Sequence, residues 1–174
     1  GSDPTSFYEP SLHSLIHSLA ASGVLTADMA SFASTKNSRP GRFYCLPKLH
    51  KSGVPGRPVC SCSGTLCENT SIIIDWFLKP LLPSIPSYLR DSCDFLDRLR
   101  SYGPLPADSL LVTLDVALYP SIPHQDGLAA LRSFLSDSRF DSKFVDGIVE
   151  LSQFVLQHNF FEFDDRFYFQ TKGT

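Results

Sequence analysis

Asp115 is the residue of this chain with the clearest chemical opportunity. It closes the apolar, β-prone run Leu110, Leu111, Val112, Thr113, Leu114, which lies between the turn-rich stretch 103–109 and Pro120 and Pro123. The pattern predicts a buried strand over 110–114. A carboxylate at the C-terminal tip of such a strand enters the crevice where α/β sheets hold ligands, and Mg²⁺ takes oxygen ligands of that kind. The plain alternative is an Asp that ends a strand in a turn.

A second opportunity lies upstream. Between Asp28 and Glu68 there is no acidic residue, while Lys36, Arg39, Arg42, Lys48, Lys51 and Arg57 all fall there. The whole chain has 15 Lys and Arg against 18 Asp and Glu, a formal net charge of −3, so these cations are concentrated in one acid-free segment of an acidic chain. That distribution fits a phosphate-facing patch, although a solvated basic face looks similar. RFYCLP and RPVCS are short β-prone runs around the turn-rich KLHKSGVPG, which predicts a hairpin with a mobile tip. Lys48, Lys51 and Arg57 are the cations of this hairpin that could meet phosphate oxygens.

The motifs carry a resemblance. DVALYPSIP, from Asp115 on, resembles motif A of template-copying polymerases. RFYCLPKLHKSGVPGRPVCS (42–61) resembles the fingers hairpin of Penelope-like retroelement reverse transcriptases, relatives of telomerase. SYLRDSCDFLDRL (87–99) and NFFEFDDRFYFQTKGT (159–174) resemble segments of that family in the same chain order, so the similarity covers about residues 38–174.

The resemblance implies an α+β right-hand polymerase fragment, with helices packed on a small antiparallel palm sheet and a basic fingers β-hairpin. Residues 1–37 would be an N-terminal helical segment, 38–109 the fingers, and 110–174 the N-terminal palm up to the start of motif B. The implied activity is that of an RNA-directed DNA polymerase, a nucleotidyltransferase with two Mg²⁺ ions. Asp115 would be the catalytic metal ligand, Lys48, Lys51, Arg57, Val116 and Tyr119 would meet the nucleotide, and Arg39 and Arg42 would contact the template backbone. The implied partners are an RNA template, a DNA primer, deoxynucleoside triphosphates and the remaining palm and thumb of a parent protein, in an intracellular, nuclear setting.

Two features depart from the family. Its motif A places the aromatic five positions after the Asp, whereas Asp115 and Tyr119 are four apart. QTKGT opens motif B, where the sequence stops, so one catalytic carboxylate is present and the chain alone is expected to be inactive. The alternative is a non-catalytic, nucleic-acid-binding remnant of a decayed element.

The elements that must position these residues can be read from local pattern. A helix is expected over 11–21, capped by Ser11 and stopped at Gly23, and a short one from Thr26 through Phe32. Residues 65–79 predict a helix capped by Thr65 or Asn69 and buried through Ile72, Ile73, Trp76 and Phe77. Asp91 or Ser92 caps another, with Phe95, Leu96 and Leu99 at core spacing. Pro123 starts a helix through Ser136, with His124 as a cap or packing residue. Asp141 caps the last, whose stripe is Phe144, Val145, Ile148, Leu151 and Val155. NFFEF and RFYFQ alternate with period two around Asp164-Asp165, a hairpin turn that needs no metal. At 174 residues and 43% hydrophobic content the chain can build one substantial core. No apolar run reaches the ~20 residues of a membrane span, so no membrane partner is expected. The five cysteines are odd in number and lack a second cluster, which predicts free thiols rather than disulfides or a zinc site.

Overall fold

The computed structural model describes residues 2–34, 36–110, 112–114, 121–138 and 140–173. They form six α-helices and a four-stranded mixed sheet, an α+β fold. The chain divides into two units, residues 1–75 with 118–174, and residues 76–117.

In the larger unit, α1 (Thr5–Ala21) buries Leu12, Ile16 and Leu19 along one face. It begins six residues before the expected Ser11 and carries Pro10 inside it. Proline removes one intrahelical bond. The early turns are held by Asp3 Oδ1, which accepts from Thr5 N–H at 2.8 Å, and by the Tyr8 ring against His158 at 4.4 Å. α2 (Ala27–Ala33) starts where expected, with Thr26 Oγ1 accepting from Met29 N–H at 3.2 Å.

The core is centred on α6 (Ser142–Gln157), capped by Asp141 and buried through Val145, Ile148, Leu151 and Phe154. Gly147 faces the end of α1, where an added Cβ would come within 2.8 Å of Val24 and 2.9 Å of Leu19. α5 (His124–Ser136) packs beside α6, burying Leu135, with Arg132 paired to Asp146 across the two helices.

Strands β1 (Gly41–Pro47), β2 (Gly56–Ser61), β3 (Phe160–Phe163) and β4 (Arg166–Phe169) pair in the order β2-β1-β3-β4. Both expected hairpins are present and antiparallel. The sheet as a whole is not antiparallel, because Gly41 and Arg42 pair in parallel with Phe161 and Glu162. Such a pairing joins distant segments through backbone geometry, to which local pattern is blind. It depends on a bare position 41, where a Cβ would lie 2.8 Å from Cys60 Sγ and 3.0 Å from Phe160 O.

Helix α3 (Glu68–Leu78) begins in the larger unit and runs past the division at residue 75. Ile73 and Thr70 are buried, whereas Ile72 and Trp76 are 49% and 61% exposed, against expectation. The helix phase is set from its N-terminal end, where Leu66 and Cys67 are already in the core. Gly64 N–H donates to Glu68 Oε2 at 2.7 Å, and Asn69 is not the cap but donates to Phe32 O at 2.6 Å.

The smaller unit holds a 3₁₀ turn (Lys79–Ser84) and α4 (Ser92–Ser101), capped by Asp91 on Asp94 N–H at 2.8 Å. None of its described residues is buried, Phe95 and Leu96 included. About 40 residues close a core only with outside help. The expected buried strand is not formed at its described positions: Leu110, Val112 and Leu114 are 90%, 74% and 83% exposed and unpaired in any sheet. Strand propensity needs a neighbouring strand to act on, and these residues have none among those described.

Candidate nucleic-acid interface

The β1–β2 hairpin is registered with Arg42 opposite Ser61 and Leu46 opposite Arg57, so these four side chains share one face. Its tip is closed by backbone bonds from Lys48 N–H to Pro55 O, 3.0 Å, and from Val54 N–H to Lys51 O, 3.1 Å. Gly53 and Val54 both lie at positive φ, +75° and +43°. For a β-branched residue that is a strained conformation. From Tyr44 to Pro58 every residue is exposed except half-buried Lys48, so beyond its root the hairpin stands clear of the core.

Lys51 and Arg57 are therefore presented to solvent on one short element, with half-buried Lys48 between β1 and the tip. The ion pairs among the described residues join Arg90 to Asp91, Arg98 to Asp94, Arg100 to Asp97 and Arg132 to Asp146. None uses a cation of the acid-free segment, whose charges remain available to an outside anion.

The root of the hairpin opens a different surface. Arg39 is tied to the chain after β2: its N–H donates to Gly64 O at 2.9 Å and its Nε to Ser63 O at 3.3 Å. Arg39 and Arg42 are among the residues that line a groove of about 650 Å³. Phe43, Phe163, Glu162 and the turn Asp164-Asp165 also line it. Asp164 and Asp165 sit at φ +52° and +54°, as a two-residue hairpin turn of the type that requires positive φ at both positions. The pair shapes this groove.

The groove rings belong to a larger set. Phe43 stacks on Phe161 at 5.3 Å and meets Phe163 edge-on at 5.1 Å, while Phe161 stacks on Tyr168 at 5.5 Å. This file of rings crosses β1, β3 and β4, and Phe163 and Tyr168 are 51% and 41% exposed. Sequence reasoning does not single it out. The alternation of Phe161 and Phe163 about Glu162 is the available signal, but the addition of Phe43 depends on the parallel pairing.

Asp115, Val116 and Tyr119 lie outside the described residues. The segment that leads into α5 is anchored: Gly173 N–H donates to Ile122 O at 2.8 Å, and His124 Nε2 is 3.0 Å from Gly173 O. His124 is thus a packing residue at the start of α5. No group of His, Cys, Asp or Glu able to hold a metal ion occurs among the described residues. Burial pushes the Cys67 thiol up to about 12 and, with the neighbouring Cys62, the Cys60 thiol to about 11. These are protonated at neutral pH. No helix is long and apolar enough to cross a membrane among the described residues.

Comparison with protein-family models, curated proteins and solved structures gives no match.

Proposed function

We propose that this chain is the fingers and N-terminal palm portion of an RNA-directed DNA polymerase of the Penelope-like kind, and that its own contribution is to grip nucleotide phosphates and template. The observation that carries the reading is the β1–β2 hairpin, which carries exposed Lys51 and Arg57 and half-buried Lys48 with no acidic partner among the described residues. Phosphoryl transfer is catalysed mostly by positioning and by charge that meets the developing negative oxygens. Lys48 and Lys51 act as mobile point charges on the phosphates, and Arg57 as a planar, permanently charged donor. Arg42, at the root, lies against the template backbone with Arg39.

Two Mg²⁺ ions would supply the charge neutralisation and in-line geometry of the full reaction at Asp115. Asp115 lies outside the described residues, and no group able to hold a metal ion occurs among the described ones. Repulsion between two divalent ions needs several carboxylates to offset it, so no step is derived through the metal. The exposure of Leu110, Val112 and Leu114 favours, as a second reading, a binding module that holds nucleic acid without catalysis.

Photolabelling with an azido-deoxynucleoside triphosphate tests the first reading. Label is expected on the 42–61 hairpin and is lost in the Lys48→Ala, Lys51→Ala, Arg57→Ala triple variant; label spread over the chain and indifferent to these changes rejects it. Primer extension by this chain is expected to be absent at any Mg²⁺ concentration. Measured extension would mean that a working carboxylate set has been overlooked.

A further inference from the structure

Between the C-terminal end of α6, the start of β3 and the chain that links β2 to α3 lies a cavity of about 190 Å³. Buried Leu66, Cys67 and Phe160 line it together with half-buried Val155 and Leu156 and exposed Cys62, so it runs from the core toward the surface. All of these residues belong to the larger unit. A space of that size leaves its lining atoms without dispersion partners, which close-packed interiors rarely tolerate. An apolar occupant would restore those contacts.

The polar groups of the wall are already committed inside the chain. Thr65 Oγ1 donates to Cys62 O and Ser71 Oγ to Cys67 O, each at 2.8 Å. Asn159 Nδ2 donates to Gln170 Oε1 at 2.7 Å, and His158 Nδ1 lies 2.8 Å from Phe154 O. A buried water needs about two to four polar partners, and this wall has few left to give. No Asp, Glu, Lys or Arg lines the cavity among the described residues, so an ionic ligand finds no counter-charge. An apolar cavity of about 150 Å³ stays dry and takes up benzene. This one is slightly larger and similarly lined.

We propose that the cavity binds a small, uncharged aromatic molecule of one ring or two fused rings, held by dispersion contacts with Leu66, Val155, Leu156 and Phe160. The site uses none of the hairpin cations and stands apart from the nucleic-acid reading.

Toluene and indole are the probes, with benzoate as the charged control. Either probe, at about ten times its measured Kd, is expected to raise Tm by roughly 3–6 °C. It should also slow maleimide labelling of Cys62 by about tenfold, read by peptide mass mapping. Cys45 and Cys93 are exposed and outside the cavity wall, so their labelling rates should not change. Benzoate should do neither. Two variants fill the space, Val155→Phe from a half-buried position and Cys67→Met with a flexible side chain from a buried one. Whichever keeps the circular dichroism of the parent should lose both effects of toluene. The proposal is overturned by a parent chain that shows no Tm shift, by a shift without slower Cys62 labelling, by an equal response to benzoate, or by a folded filled variant that still responds. None of these outcomes bears on Lys48, Lys51 and Arg57, whose test is separate.

Discussion

The two hairpins of the sheet are built on the same plan and used in opposite ways. Each is antiparallel and each has two consecutive residues at positive φ in its connection, which spans 48–55 in the first and 164–165 in the second. β1–β2 is long, basic and exposed beyond its root, with Val54 forced into a conformation that suits glycine. β3–β4 is short, its turn is acidic, and its first residue, Phe160, is 4% exposed between Tyr8 and Phe169. Burial separates the two roles: the second hairpin contributes to the stability of the larger unit, and the first contributes reach and charge. A surface that must meet a polyanion does well to have few apolar contacts of its own.

The largest expected effect lies at the root of the second hairpin. Phe160→Ala should destabilise the protein by about 3–5 kcal/mol, while Tyr44→Ala on the first hairpin should cost under about 1 kcal/mol, by urea denaturation. Comparable losses at the two sites would end the distinction. Next in size, the Lys48, Lys51, Arg57 triple alanine variant should lower affinity for a primer–template by about a hundredfold at low salt. The slope of log K against log salt should shrink by about three units, without a change in sequence preference. An unchanged slope would reject the patch.

A smaller effect separates the thiols beside the two hairpins. Cys67 Sγ lies 3.9 Å from His158 O, just before β3, and its pKa is pushed up to about 12, whereas Cys45 on β1 is exposed. A raised pKa means the folded chain holds its proton when the unfolded chain has released it. Stability is thus full below the unfolded value near 9 and is lost as pH rises toward about 12, at about 1 kcal/mol per unit. Cys67→Ala should flatten that alkaline decline, measured by denaturation at pH 8, 9 and 10.

The smallest contrast concerns the turns themselves. Val54→Gly should stabilise by about 1 kcal/mol, because a β-branched residue tolerates positive φ poorly. Asp165→Gly should gain about half as much, since Asp already adopts that conformation. Equal gains, read from the same denaturation curves, would mean that the first tip is no more strained than the second.

What is legible in the sequence is what acts locally. Thr26, Asp91 and Asp141 read as helix starts, and each accepts the expected backbone N–H, because capping involves residues two or three apart. The stripe of α6 is equally plain, since Val145, Ile148 and Leu151 keep helical spacing whatever lies opposite. Three features are not legible, because each depends on a partner distant in sequence. Pro10 is carried inside α1 by contacts of Tyr8 with residues near 158–169. Leu110, Val112 and Leu114 have strand composition and no strand to join among the described residues. The groove is half visible: Arg39 and Arg42 are placed by charge, while Phe43 and Phe163 meet only because β1 lies parallel to β3.

That parallel pairing also dictates an order of events. The first hairpin can close on itself as soon as residue 61 has been made, but β3 is complete only at residue 163. At a synthesis rate of about 5–20 residues per second the intervening ~100 residues take roughly 5–20 s. Throughout that interval the inner edge of β1, with its unsatisfied backbone donors and acceptors, is open to any passing strand. Arg42 on that strand, with Lys48 and Lys51 just beyond it, repels copies of the same nascent hairpin. The exposed charge of the finished hairpin thus also guards the unfinished one against its own kind.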